Sequence, residues 1–454
     1  MLKTYTKEFK RNLHLAWPII LGLLGHTMVG LVDNIMVGKI GTAELAAVSL
    51  GNSFLFIAMS VILGFSTAIT PLVAAADSTQ NVKEGRTFLK NGLVILLFLG
   101  ILCYGVVIAL RPILYNMKQS IEVVELAIPF LNIVSLSLIP LAVFQALKQF
   151  ADGLSQTKPS MLATVYANIL NVILNYVLIY GIWIFPKMGI VGAAYGTLIS
   201  RVIMAILMYL LIFKKEKFKV YFLHLWKEKI EGKIIKKINS LGFPSALQMF
   251  FEFGIFTAVI WLSGTFGKNP QAANQIALNL TSFTFMFAMG LSVVALIRVG
   301  NQFGLKNYAE LRRIAISVFL LILIMDLIFA VFFLFFNNLL PKLYLDVNDI
   351  ENRIDNMEVI LISGKLLIIA AFFQLFDGLQ AVTLGALKGM QDVKIPTVIT
   401  FIAYWVIAFP VSYFFGVTLE YGSQGLWVGL LIGLASSALL LLWRFQLVTK
   451  RQLK

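Results

Sequence analysis

Four carboxylates lie inside apolar runs of this chain: Asp33, Glu252, Asp326 and Asp377. Glu252 stands near the middle of LGFPSALQMFFEFGIFTAVIWLSG (241–264), a run long enough to cross a bilayer as a helix at about 1.5 Å per residue. A charge at that depth costs roughly 2.5–3.5 kcal/mol on insertion scales, so such groups tend to face a cavity and mark an ion or substrate route. The plainer alternative is a structural acid, neutralised by a proton or by a hydrogen bond to another helix. Asp377, in AAFFQLFDGLQ, has Gln374 about one turn before it and Gln380 nearly one turn after it, which gives that helix a polar face. Asn168, Asn171 and Asn175 recur at helical spacing in YANILNVILNY, with Asn171 and Asn175 on one face. Alone, such asparagines are interhelical glue worth about 1 kcal/mol each. Asp326, in LILIMDLIFA, has no polar neighbour in sequence and reads as a protonated or hydrogen-bonded structural group.

These residues sort into one cluster per half of the chain: Asp33 with Asn171 and Asn175, and Glu252 with Asp377. Hard oxygen ligands of this kind suit Na⁺ or a proton, not a soft transition metal. Two carboxylates in one low-dielectric cavity repel, and a proton, a Na⁺ ion or a cationic solute can each relieve that repulsion. Met28, Met36, Met249, Phe250, Phe251, Met286 and Met289 surround them in sequence and can line an adaptable apolar cavity, or simply face lipid. Phe251 and Met286 are the expected substrate contacts among them. The three histidines form no ligand pair, and a single cysteine, Cys103, excludes an internal disulfide. No cofactor is expected beyond the coupling ion.

The elements that must carry these groups are membrane helices. Hydrophobic residues make up 59% of the chain and charged ones 13%, about half the share of an ordinary soluble domain. Its 454 residues suffice for about twelve spans with short loops. The predicted spans lie near 13–38, 46–76, 91–111, 121–149, 160–181, 189–213, 238–264, 275–303, 312–338, 358–388, 395–416 and 424–446. The basic start, MLKTYTKEFKRN, leads into too long an apolar run for a signal peptide, so it opens the first span. With the N-terminus inside, Lys39, Arg111, Lys118, Lys187, Lys268, Lys342 and Arg353 fall outside, Arg201 and Lys365 fall within spans, and the other Lys and Arg are cytoplasmic. That bias predicts both termini in the cytoplasm. The net charge of +15 then speaks for cytoplasmic loops and anionic lipid, not for a nucleic-acid partner.

The chain also repeats itself. LAWPIIL (15–21) resembles LGFPSAL (241–247), placing Pro18 against Pro244, and Gly64 in ILGFS stands against Gly290 in AMGLS. Gly153 pairs with Gly389, and Gly189, Gly192 and Gly196 repeat the spacing of Gly422, Gly425 and Gly429. Their common order predicts an all-α protein of two six-helix lobes, 1–212 and 238–454, related by a pseudo-two-fold along the membrane normal. A basic cytoplasmic linker, 213–237, joins them and can lie as an amphipathic helix on the inner leaflet.

Four segments carry a family resemblance: VDNIMVGKIGTAELAAVSLGNS (32–53), PSALQMFFE (244–252), AANQIALNLTSFTFMFAMGLS (272–292) and FDGLQAVTLGALKGMQD (376–392). With the repeat, they make the chain resemble multidrug and toxic compound extrusion (MATE) transporters, nearest their NorM-type branch, over almost its whole length. The resemblance implies that Glu252 and Asp377 form a cation site in the second lobe. It implies a first-lobe site at Asp33, Asn171, Asn175 and Thr197, and substrate contacts at Gln275 and Ser53. One position departs from the pattern: an aromatic hydroxyl that some relatives carry one turn before the second-lobe aspartate is here Phe373.

The expected function is export of amphipathic organic compounds, cationic ones foremost, against Na⁺ or H⁺, by alternating access in a monomer of the bacterial inner membrane. A lipid-linked oligosaccharide flippase of the same superfamily is the alternative. Its cavity would need cationic side chains for a pyrophosphate, and only Arg201 and Lys365 lie within spans. An intramembrane transferase would need a metal-binding carboxylate cluster close in sequence, and a channel a pore-loop signature; neither is found.

Overall fold

The computed structural model describes residues 2–116, 121–345 and 353–453; Lys118 and Lys454, counted above in the charge distribution, lie outside them. Twelve helices among the described residues are long and apolar enough to span a membrane, and none of those residues is in a strand. They are α1 Lys7–Gly38, α2 Ala43–Ser78, α3 Val82–Asn116, α4 Ile121–Gly153, α5 Lys158–Tyr180 and α6 Gly189–Phe213. Then come α7 Gly232–Gly264, α8 Lys268–Gly304, α9 Tyr308–Phe336, α10 Arg353–Gly389, α11 Lys394–Thr418 and α12 Gly422–Leu453. The reason is backbone satisfaction: in hydrocarbon each N–H and C=O must find a partner within its own segment, which a helix provides.

Residue choice shows at the helix ends. Asn81 caps α3 by accepting from the Glu84 N–H at 3.1 Å, and Asn307 caps α9 by accepting from the Glu310 N–H at 3.2 Å. Each cap follows a residue in the left-handed region, Gln80 at φ 56° and Lys306 at φ 55°. The duplication therefore extends to the conformation of single turn residues. α11 departs from regular geometry, widening to π-helical turns over Ile402–Ala408 and Phe414–Thr418 on either side of Pro410. A proline lacks the backbone donor that a regular turn needs there.

By contact the chain divides into two compact units, Leu21–Ala246 and Met1–Ile20 with Leu247–Lys454. The first stretch of α1 thus belongs with the second-half helices, and the first stretch of α7 with the first-half helices. The repeated glycines sit at these junctions. A Cβ on Gly64 would lie 2.7 Å from the Ala246 Cα in one unit, and a Cβ on Gly290 would run into the Ile20 side chain in the other. Small residues permit such backbone approach between membrane helices.

The linker holds a short helix, Glu216–Phe222, that buries an aromatic face on the protein. Phe218 and Tyr221 pack on Phe150, with ring centroids 6.2 and 5.3 Å away. The Tyr221 hydroxyl donates to Asp77 at 3.2 Å, Lys217 pairs with Asp77 at 3.1 Å, and Arg86 pairs with Glu228 at 3.0 Å. Burial, then the Asp77 carboxylate, raises the Tyr221 phenol above its ordinary pKa. Val220, Leu223 and Trp226 remain exposed.

Candidate functional site

In the Leu21–Ala246 unit, α1 and α5 bring Asp33, Asn171 and Asn175 together. Asn175 Nδ2 donates to Asp33 Oδ1 at 2.7 Å and lies 3.3 Å from Asn171 Oδ1. With its amide turned so that nitrogen faces the carboxylate, Asn171 also reaches Asp33, at 3.2 Å. α6 closes on this cluster through Gly196, where a side chain would collide with the Asn175 amide, and Thr197 follows it, half-buried. Asn175 Oδ1 is left without a partner. The half-buried Asp33 thus holds an amide donor, and Arg201, on α6, gives its Nη1 to the Ser137 hydroxyl at 2.7 Å.

The second-half cluster is built differently. Asp377 is 6% exposed in α10, and its Oδ1 meets no hydrogen-bond partner. The two glutamines of its polar face are committed elsewhere. Gln374 accepts from Thr284 of α8 at 3.1 Å and donates to the Asp326 carbonyl of α9 at 3.3 Å. Gln380 accepts from the Tyr404 hydroxyl of α11 at 2.8 Å. That helix face is therefore glue at its glutamines and unsatisfied at its acid. Glu252, half-buried in α7, lies within direct electrostatic range of Asp377, and Lys388 in the last turn of α10 lies within range of Glu252.

Three features differ from the sequence reading. Asp326 has close polar company in space: it is 2% exposed, its carboxylate lies against Gly378, and it is within electrostatic range of Asp377. Its isolation in sequence hid this because its neighbours come from another helix. Arg298, counted with the cytoplasmic loop, is 4% exposed inside α8, paired with Glu8 at 2.6 Å and bonded to Asn12. Asn12 in turn donates to Ser317 at 2.9 Å, so the basic N-terminal segment ends in a buried polar network. Tyr404 was not anticipated. It is 1% exposed and in range of both Glu252 and Asp377, so α11 places a phenol near the acids, whereas Phe373 packs on Trp427 at 5.4 Å. The only signal in sequence was a lone tyrosine in FIAYWVIAFP, which carries no charge to mark it.

Of the expected substrate contacts, Phe251 and Met286 are half-buried. The Phe251 ring lies 5.0 Å from that of Phe401, and its carbonyl accepts from Trp405 at 3.3 Å. Gln275 and Ser53 are exposed; Gln275 donates to Asn279 at 3.1 Å and Ser53 to the Ser49 carbonyl at 2.9 Å. No group of three His, Cys, Asp or Glu among the described residues is close enough to hold a metal ion.

Comparison with known proteins agrees with this architecture. The MatE family model matches residues 18–177 and 244–414, two blocks that open on the repeated prolines. A probable multidrug resistance protein NorM of Rhizobium meliloti is 33% identical over 450 residues, covering 99% of this chain and 95% of its own. A multidrug resistance protein NorM of Photobacterium profundum is 30% identical, covering 98% and 96%. Among solved structures, the eukaryotic MATE transporter AtDTX14 superposes with a TM-score of 0.86 at 20% identity, covering 99% of this chain and 98% of its own. An outward-facing MATE transporter of the MOP superfamily gives 0.87 at 20% identity, covering 98% and 96%. With two matched blocks, twelve spans and full-length NorM relatives, the chain belongs to the MatE family of multidrug efflux transporters, in its NorM-type branch.

Proposed function

We propose that this transporter exports amphipathic, mainly cationic, organic compounds in exchange for an inward Na⁺ or H⁺, and that Glu252 and Asp377 are its coupling acids. One observation carries the reading: the buried Asp377 oxygen has no partner although the glutamines on either side of it are satisfied. An unpaired buried polar group costs about 1–3 kcal/mol, and more when charged, unless an occupant supplies the missing interaction. A proton, a Na⁺ ion or a cationic drug would each do so, and competition among them gives exchange, with alternating access of two lobes carrying the solutes across. Asp33, by contrast, already holds an amide donor from Asn175. The protein works as a monomer among lipids of the bacterial inner membrane, with both termini in the cytoplasm.

Purified protein in liposomes, with an imposed pH or Na⁺ gradient and the fluorescent cation ethidium, tests this. Glu252→Gln and Asp377→Asn keep shape and remove charge, so each abolishes gradient-driven transport at equal incorporation. Full activity in both, with loss in Asp33→Asn alone, would move coupling to Asp33, Asn171, Asn175 and Thr197.

A further inference from the structure

We propose that the linker face carrying Val220, Leu223 and Trp226 is a docking surface for the bilayer, with its apolar side chains at the acyl boundary and anionic phospholipid headgroups on the lysines beside them. The face is held in a fixed orientation. Phe218 and Tyr221 bury the opposite side on Phe150, and Asp77 at the end of α2 holds Lys217 at 3.1 Å. From α3, Arg86 Nη2 donates to the Val220 carbonyl at 2.9 Å and Lys90 Nζ to the Trp226 carbonyl at 3.0 Å. What is left outward is apolar: Leu223 is 63% exposed and Trp226 85%.

Continuity with the spanning helices identifies what covers this face. On α6, Val202, Ile206, Tyr209 and Phe213 recur at helical spacing as an exposed apolar stripe, a surface that acyl chains cover. Phe222 rests at the foot of that stripe, its ring 5.8 Å from Tyr209 and 6.0 Å from Phe213, and Leu223 follows it. On α3, Val94, Leu97, Phe98 and Ile101 form a second exposed stripe. Lys90, which holds the Trp226 carbonyl, stands one helical turn, about 5 Å, before Val94 on that face. The exposed linker face thus runs between the feet of two acyl-covered stripes, at the level where tryptophan is enriched at membrane–water boundaries. Charge selects the headgroup. Segment 213–237 carries nine lysines against three glutamates. Glu216 takes Lys219 and Glu228 takes Arg86, whereas the exposed Lys214, Lys227 and Lys229 pair with no acid among the described residues. Each such lysine favours an anionic membrane surface by about fivefold.

A nitrobenzoxadiazole fluorophore on Val220→Cys, in a Cys103→Ala background, tests this on the purified full-length protein in phosphatidylcholine vesicles. Trace nitroxide-labelled phosphatidylglycerol should quench it more than the same fraction of nitroxide-labelled phosphatidylcholine, by about fivefold for each lysine that meets a headgroup. Lys214→Gln, Lys227→Gln and Lys229→Gln combined should bring the two lipids level, and added inorganic phosphate should leave the preference intact. Leu223→Ser with Trp226→Ser should lower quenching by both lipids alike. All five side chains are exposed, so these variants keep the packed side of the linker. No quenching by either lipid would overturn the docking, and equal quenching by both would overturn the anionic preference. Loss of the preference in inorganic phosphate would assign the lysines to a free anion and overturn the lipid reading. Quenching is read without transport, so the result stands apart from the coupling role of Glu252 and Asp377.

Discussion

Among single residues, satisfied and unsatisfied polar groups share one helix face. Gln374, Gln380 and Tyr404 are all buried and all hydrogen-bonded, whereas Asp377 on the same face keeps an open oxygen. Tyr404 sits at the boundary, because its hydroxyl both ties α11 to α10 and lies near the acids. Tyr404→Phe should leave the Gln380 amide unpaired and lower stability by about 1–3 kcal/mol. A thermal unfolding scan in detergent measures this, and a melting temperature equal to wild type would show that the Gln380 bond contributes nothing. Arg298 offers a sharper case. Arg298→Ala leaves the buried Glu8 carboxylate only Arg313, 3.7 Å away, and should cost up to about 3–5 kcal/mol, whereas replacing both as Arg298→Met with Glu8→Gln should recover much of the loss. The same scan on the single and double variants decides it; no recovery in the double variant would mean that the pair is not the source.

For the helices, duplication appears as matched entry geometry. Gln80 with Asn81 and Lys306 with Asn307 adopt the same left-handed turn and the same side-chain cap. Asn81→Ala and Asn307→Ala should therefore cost similar amounts, about 0.5–2 kcal/mol each. Hydrogen exchange over the first turns of α3 and α9 checks this, and protection lost at one cap but kept at the other would break the equivalence. The linker helix Glu216–Phe222 owes its place to Phe218 and Tyr221 packing on Phe150, not to its basic residues alone.

On the scale of the whole molecule, orientation and energetics follow from charge. The excess of basic residues in 213–237 and at both ends is the ground for expecting those segments in the cytoplasm. Single cysteines at Ser78, Lys227 and Lys306, in a Cys103→Ala background, should resist impermeant thiol reagents in intact cells, and ready labelling of Lys227→Cys from outside would overturn the topology. A membrane potential supplies about 2.3 kcal/mol per net charge per 100 mV. One inward ion exchanged for one outward monovalent drug moves no net charge, so potential drives transport only if two ions enter. On the reading that the first-half cluster carries an ion beside the second-half acids, two ions enter, and drug efflux should fall when the potential is collapsed at fixed ion gradients.

The sequence by itself determined the class, the spans and the repeat, and it singled out the acids proposed for coupling. Each is a matter of composition or of order along the chain: apolar runs must become helices in lipid, and a carboxylate inside one stands out because its burial is costly. Even Asp377 and its two glutamines were legible, since one helical turn sets their common face. Tertiary structure alone decided which of those groups are satisfied. Gln374 is held by Thr284, 90 positions away, and Gln380 by Tyr404 on the next helix, and neither pairing leaves a trace in local spacing. It also made Asp326 a neighbour of Asp377 through Gly378, and it assigned the first stretches of α1 and α7 to opposite units. In a membrane protein nearly every helix face is apolar, so periodicity says little about which faces meet, and close packing at glycines settles it.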